Sequence, residues 1–425
     1  MINIARSASA AVRSGLIRSR FPFFPLPSSP LRRTFGTSNE SIINPVAIQM
    51  INYALSLARS QKTDESFAQA QLVLEQCLST QSDDNSKGTV LLSMSTLLSQ
   101  RGNSLQAIEK LQDMERLSIS LTSVRVAAAE ALAGLYLELG QDGTASMVAN
   151  VCLQLLDSIR VEHGAEYCSE DLHARCKAIK GLVKLASGDV DSAEPLFKAV
   201  VDVKNCTGNT ALSYGEFFHV KHNLSKAKEL YEKVLQPLSE RNDFGNPDNL
   251  AASNMALEET LVAATCSLGQ LEAHAGNFAK AEEILTRALT KAEDFFGSNH
   301  PKVGVVLTCI ALMFRRKATV EHSSSLLIQE GLYRRAIDLL KKHSSQTEGE
   351  ECGVARKDIL ALARGGYAEI LTIQQNRKSE GEKMKSWAES AWKNQRLSLA
   401  EVLNVSDDPS SSKVTVIDTR ISRAL

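Results

Sequence analysis

Apolar residues recur along this chain at helical spacing. The clearest stretch is Gly276–Leu289, GNFAKAEEILTRAL, where Ala281, Leu285 and Ala288 form a stripe at i, i+4 and i+7. Gly276 and Asn277 break the preceding helix and Phe278 plugs the turn. Weaker copies follow the same pattern, each with a small residue as its anchor: Ala70, Ala107, Ala145, Ala193, Ala227, Ala281, Ala336 and Ala388. Four residues after each anchor stand Leu74, Leu111, Ala149, Phe197, Tyr231, Leu285, Leu340 and Trp392, and one turn further come Cys77, Met114, Cys152, Val200, Val234 and Ala288. Five residues before the anchor, Gly102-Asn103, Gly140, Gly188-Asp189, His222-Asn223, Gly276-Asn277 and Gly331 are residue types that end a helix at positive φ. Twelve before it, Ala58, Ser95, Ala133, Gly181, Gly215 and Gly269 let two helices approach closely. Ala311 takes this place in the seventh unit, and Ala363 or Gly366 in the eighth.

The pattern predicts an all-α chain in which hairpins stack on their neighbours. Composition agrees: hydrophobic content is 43% but aromatic content only 5%, so the apolar inventory is mostly Ala, Leu and Val, suited to close helix packing. Four of the ten prolines, Pro22, Pro25, Pro27 and Pro30, fall before the first repeat. Anchor spacings of 37, 38, 48, 34, 54, 55 and 52 residues require elongated helices or inserted linkers. The segments Gln236–Leu250, Thr319–Ser325 and His343–Gly353 read as polar, mobile inserts, and 405–425 as a flexible tail. Whether Val414–Ile421 docks as a strand or a helix is left open by the residues.

These hairpins resemble tetratricopeptide repeats, most closely from Leu268-Gly269 through Gly276-Asn277-Phe278 to Ala281 and Ala288. Phe296–Val303, FGSNHPKV, resembles the linker of kinesin-light-chain-type repeats, with Asn299 expected to cap the next helix and Pro301 in its first turn. The resemblance spans about residues 45–400 and implies an α-solenoid, a right-handed superhelix of about eight hairpins over 45–404. It also implies a concave groove lined by the first helices. The groove residues would include Arg175, Ala178, Leu182, Glu216, His219, Thr308, Leu312, Arg315 and Arg316. The Lys/Asn/Arg clamp that some such arrays use on chaperone tails is not evident: Ala263, Cys266, Ser267 and Gln270 stand at the matching places of the sixth unit.

Charge changes the picture at the start of the chain. Residues 1–35 carry Arg6, Arg13, Arg18, Arg20, Arg32 and Arg33, no Lys, and the first acid is Glu40. Ile4, Ala8, Ala11, Val12 and Leu16 share one helical face. This reads as a plant-like mitochondrial transit peptide, with a chloroplast peptide as the alternative, cut between Phe35 and Gly36 and followed by a linker over 36–44. The full chain has 48 basic and 49 acidic residues. Without the six leader arginines, 42 basic residues face 49 acidic ones, a net charge of −7 that suits nucleic-acid binding poorly. No apolar run reaches the ~18–20 residues that cross a bilayer. Peripheral membrane association through a partner stays open.

Candidate chemistry is sparse. The eight cysteines form no CxxC pair and read as small buried hydrophobes in a reducing compartment. His163, Cys168, His173 and Cys176 are metal-like in type but not in spacing. His219 and His222 suit a helix C-terminus, and Arg315-Arg316-Lys317 could receive an acidic peptide. No phosphate loop, dinucleotide turn, nucleophile elbow or metalloprotease helix occurs. The reading is therefore a non-catalytic scaffold or assembly factor, with no cofactor or metal, in the mitochondrial matrix. It would grip a peptide or subunit, of unknown identity, in its concave face. The alternatives are an organelle RNA-binding repeat protein and an inner-membrane respiratory-complex assembly factor.

Overall fold

The computed structural model describes residues 43–163, 170–198, 208–236, 255–344, 357–404 and 414–425. The chain divides into two units, Met1–Thr37 and Ser38–Leu425, and every described residue belongs to the second. The leader and its Phe35–Gly36 junction lie outside the described residues, as do most of Gln236–Leu250 and the cysteines Cys168, Cys206 and Cys352.

Among the described residues eight helical hairpins run along the chain: α1 (Pro45–Gln61) with α2 (Asp64–Thr80), α3 (Asp84–Gln100) with α4 (Ser104–Asp113), α5 (Thr122–Glu138) with α6 (Asp142–His163), α7 (Glu170–Ala186) with α8 (Val190–Lys198), α9 (Gly208–Val220) with α10 (Leu224–Leu235), α11 (Leu257–His274) with α12 (Phe278–Phe296), α13 (Pro301–Val320) with α14 (Leu326–Ser344), and α15 (Asp358–Ile373) with α16 (Lys378–Ala391). A short α17 (Leu399–Leu403) comes after them. Each hairpin packs on its sequence neighbours. The fold is an all-α helical-repeat solenoid.

The two helices of a hairpin differ in kind. Second helices are amphipathic: α12 buries Phe278, Ala281, Ile284, Leu285, Ala288 and Ala292 and leaves the rest wet. First helices such as α5, TSVRVAAAEALAGLYLE, are apolar around most of their circumference and buried on nearly every face. A helix hydrophobic all round belongs inside, so the first helices form an inner layer and the second helices an outer one. All eight anchor alanines are 0% exposed.

Local chemistry sets the turns. Gly276 ends α11 at φ 82°, a conformation glycine adopts without steric cost, and His222 occupies the same place in the fifth hairpin at φ 59°. Close approach is set by Gly269, where an added Cβ would lie 2.6 Å from Leu285 Cγ.

Four expectations are corrected. Gly331 is not a turn: it lies inside α14, and the seventh hairpin turns at His322, φ 49°. Thr319 and Val320 accordingly belong to α13. Ala311, 0% exposed, packs in one cluster with Tyr333 and Ile337 of α14, and Gly304 is a second small residue of α13, where an added Cβ would lie 3.0 Å from Leu340 Cγ. In the eighth hairpin Gly366 faces Tyr333 of α14, not its own second helix. Finally, α13 is capped by the His300 side chain, which accepts from Lys302 N at 3.1 Å, and not by Asn299; Pro301 does occupy the first turn.

Hairpins far apart in sequence also meet. Arg59 of α1 pairs with Glu258 of α11 at 2.6 Å and sits over the Phe295 ring of α12. Lys302 of α13 pairs with Glu138 of α5 at 2.7 Å. These ion pairs tie together hairpins that are not sequence neighbours.

Two glycines in the array should respond to alanine with opposite sign. Gly269→Ala forces its methyl into Leu285, and overpacking of about 1–3 kcal/mol outweighs the gain of about 1 kcal/mol in helix propensity. Gly331→Ala meets nothing within 4 Å and should stabilise by about 0.5–1 kcal/mol. Thermal melts of the two variants check the register: a Gly331→Ala protein that melts lower would place residue 331 outside a helix.

Candidate functional site: the end of the chain inside the array

Residues 414–425, VTVIDTRISRAL, fold back into the inner layer. The segment makes a small hairpin, β1 (Ile417–Asp418) against β2 (Arg423–Ala424), antiparallel with Ile417 opposite Ala424 and Asp418 opposite Arg423. Ser422 turns the chain at φ 51°, and Leu425 N donates to Val416 O at 2.8 Å. All of it is buried except Thr415 and Ser422, which are half-buried. This corrects the flexible tail expected over 405–425 for its last twelve residues. The expectation failed because a segment with Asp418, Arg420 and Arg423 reads as water-loving when its partners are not known.

Those partners come from helices spread along the array. Arg420, 1% exposed, lies between two carboxylates: its guanidinium meets Asp418 Oδ2 at 2.8 Å and Glu216 of α9 at 2.5 Å. It also donates to the Asn209 side chain and to Ser213 Oγ at 3.2 Å. Asn209 in turn donates to Glu130 of α5 at 2.7 Å, and Glu130 accepts from Arg175 of α7. Arg423, 0% exposed, serves four acceptors: Leu137 O at 2.8 Å, Ala186 O at 3.0 Å, Asp142 Oδ1 at 2.8 Å and, as an ion pair, Asp358 Oδ2 at 3.3 Å. Leu137 and Ala186 stand at the C-terminal ends of α5 and α7, where orphan carbonyls and the helix dipole favour a cation.

The main chain of the segment is read as well. The Gln270 amide of α11 donates to Ile417 O at 2.9 Å and accepts from Ile417 N at 2.8 Å, as a neighbouring strand would. Lys302 Nζ donates to Arg420 O at 2.6 Å, Asn394 Nδ2 to Ala424 O at 2.7 Å and Arg396 Nη2 to Leu425 O at 2.8 Å. Ile417 and Ala424 add apolar contact to the cluster around Leu285, Val303 and Leu362.

Burial tunes the charges here. The Arg420 guanidinium, though desolvated, is held above its usual range by Asp418 and Glu216 and stays charged. Burial pushes the Glu216 carboxyl well up, with Asp418 adding to the rise and Arg420 opposing it. Glu259, at the start of α11 and 3% exposed, is pushed up to about 8 by burial, with Lys302 opposing and Glu138 reinforcing. A second buried polar group lies between α9 and α11: His219 meets His274 at 2.8 Å and Tyr231 Oη at 3.2 Å. Burial lowers His219 to about 3 and His274 well below its ordinary value, so both imidazoles are neutral.

The groove residues expected from the resemblance are not a solvent-facing surface. Ala178, Leu182, Glu216, His219 and Thr308 are buried. Thr308 donates to Gly304 O within its own helix, and Leu312 packs half-buried on an apolar cluster. Arg315 donates to Leu403 O at 2.8 Å and pairs with Glu369; Arg316 is half-buried. Of the nine, Glu216 touches the inserted segment and Arg175 reaches it through Glu130 and Asn209. The remaining members of the site, Asp142, Asn209, Ser213, Gln270, Lys302, Asp358, Asn394, Arg396, Arg420 and Arg423, escaped the sequence reading. Their signal is the polar residue set in an apolar helix, as Gln270 and Lys302 are.

The other sequence candidates do not converge. Cys176 meets Cys152 with its sulfur 2.6 Å away, and His173 turns to Asp157 at 3.4 Å. Among the described residues no three metal-ligating side chains are grouped.

Replacing Arg423 with Met should lower stability by about 3–5 kcal/mol, because Asp142 and Asp358 lose their shared cation. Lys should restore less than half of this, since one ammonium cannot serve carboxylates and carbonyls on four sides. Chemical denaturation of the three proteins measures both. For Glu259 the folded carboxyl titrates near 8 and the unfolded one near 4.5. Its stabilising contribution is thus complete below pH 4.5 and lost as pH rises through about 8. The stability of Glu259→Gln relative to wild type should therefore rise across that window and level off above it, read from melts at a series of pH values. No family model and no curated protein matches this chain.

Proposed function

We propose that this protein is a non-catalytic scaffold or assembly factor of mitochondria that acts by holding a protein segment inside its helical array. The observation that supports it is the treatment of residues 414–425. Side chains from α6, α9, α11, α13 and α15 and main-chain carbonyls of α5 and α7 converge on one short peptide and bind both its main chain and its two arginines. Recognition of extended chain by amide and guanidinium groups is a peptide-binding chemistry. The tetratricopeptide resemblance of the hairpins and the Arg-rich, acid-free leader support the repeat class and the compartment.

The inner layer is acidic, with Glu130, Glu138, Asp142, Glu216, Glu259 and Asp358 around the segment, which disfavours the RNA-binding alternative. Among the described residues no helix is long and apolar enough to cross a membrane. An inner-membrane role would therefore run through a partner.

The test has two parts. Residues 1–40 fused to a reporter should carry it to mitochondria; plastid or cytosolic signal refutes the compartment. The mature protein purified from isolated mitochondria should retain a stoichiometric protein partner after nuclease treatment, and a partner lost with nuclease would favour RNA binding instead.

A further inference from the structure

The contacts around residues 414–425 are those of a receptor for a peptide, and the peptide belongs to the same chain. Three observations separate it from an ordinary core element. First, the hairpins stack on their sequence neighbours, and two of the helix-on-helix clusters that join them contain no residue of the segment. Second, the two arginines and the main chain of the segment are fixed by ions and hydrogen bonds, beside six buried apolar residues. Buried ion pairs add little net stability compared with apolar packing of the same volume, and they discriminate strongly between ligands. Third, the fit is incomplete. Thr419 Oγ1 of the segment is buried without a hydrogen-bond partner, so the chamber does not satisfy every polar group of this particular peptide.

We propose that the chamber holding residues 414–425 is a binding site for a polypeptide segment that folds as a tight hairpin and carries two arginines three residues apart, filled in cis by Arg420 and Arg423 and in trans by the matching segment of a partner protein. The proposal rests on the scaffold reading above and names the partner's chemistry. The first arginine enters between Glu216 and Asn209. The second lies between Asp142 and Asp358, under the carbonyl ends of α5 and α7. Gln270 takes the peptide group three residues before the first arginine, and Lys302 takes the carbonyl of that arginine. A partner needs the two guanidiniums, small or aliphatic residues between and after them, and a main chain that turns between the two arginines.

Competition in cis sets the affinity. A tethered segment acts at an effective concentration on the order of millimolar. In the intact chain a free peptide must compete with that, so the closed form is the resting state and a partner is admitted only as the tail leaves.

A protease recognition sequence placed within residues 405–413 of the full chain allows the tether to be cut after folding. A labelled synthetic peptide of residues 414–425 is then the probe, followed by fluorescence anisotropy. The cut protein should exchange its segment for the labelled peptide and bind it at least tenfold more tightly than the intact chain does. Peptides carrying Arg420→Ala or Arg423→Ala should each bind at least tenfold more weakly, and Arg→Lys versions should fall between. Salt should weaken binding only modestly, since the pairs are buried. The proposal is overturned if the cut protein retains its segment without exchange for days, or if it loses its cooperative melt when the segment leaves. In both cases residues 414–425 are permanent core, and the scaffold reading survives with its partner on another surface. Equal binding of the arginine-free peptides overturns the stated chemistry while leaving exchange intact.

Discussion

Two guanidinium groups with no access to water organise the interior of this protein. Removing an ion from water costs several kcal/mol even after relaxation, and the cost is offset only when its hydrogen-bonding capacity is met. Arg420 meets it with Glu216, Asp418, Asn209 and Ser213; Arg423 donates to Asp142 and to two helix-terminal carbonyls, while its Nε, without a hydrogen bond, is paired by charge with Asp358 at 3.3 Å. Apart from Asp418, these acceptors lie on five helices from four different hairpins. Holding them around two side chains fixes the relative placement of the third, fourth, fifth and eighth hairpins, which neighbour-by-neighbour stacking alone would leave to accumulated small rotations.

The array thus has two levels of cohesion. Within and between adjacent hairpins it is apolar and local: small residues such as Gly269 seat large ones such as Leu285, and each buried aliphatic of that size contributes about 1.5–3 kcal/mol. Across the array it is polar and non-local, carried by Arg59–Glu258, Lys302–Glu138 and the inserted segment. The second level is the one that responds to conditions. Glu259 beside Lys302 charges as pH rises, and burial pushes the Glu216 carboxyl well up, with Arg420 opposing the rise. The neutral pair His219 and His274 belongs to the first level, a hydrogen bond between two first helices.

Much of the fold was legible in the residues. The anchor alanines mark second helices because positions i, i+4 and i+7 share one face of a helix, whereas a strand would put i+7 on the face opposite i and i+4. Gly102, Gly140, Gly188 and Gly276 mark turns because positive φ is cheap only there. Gly331 misled for the same reason it attracted notice: glycine is punctuation only when the helix it interrupts is of ordinary length, and α13 and α14 are longer. The candidate site was far less legible. Glu216 and Arg175 were reached through the repeat register; Gln270 and Lys302 show only as polar residues set in apolar helices, Asp142 and Asp358 carry no local signature, and all four act from separate hairpins.

What the sequence determined alone was the helical hairpin and its repetition, since both arise from contacts within some forty residues, the scale of a helical repeat. What only the tertiary structure decided was where the first helices' polar groups look and what they hold. Arg420 and Glu216 are far apart in the chain, as are Arg423 and Asp142. A charge's preference for water or for the interior depends on partners that sequence proximity does not supply. The same twelve residues that read as a solvated tail hold two of the most deeply buried charges among the described residues once the array closes around them.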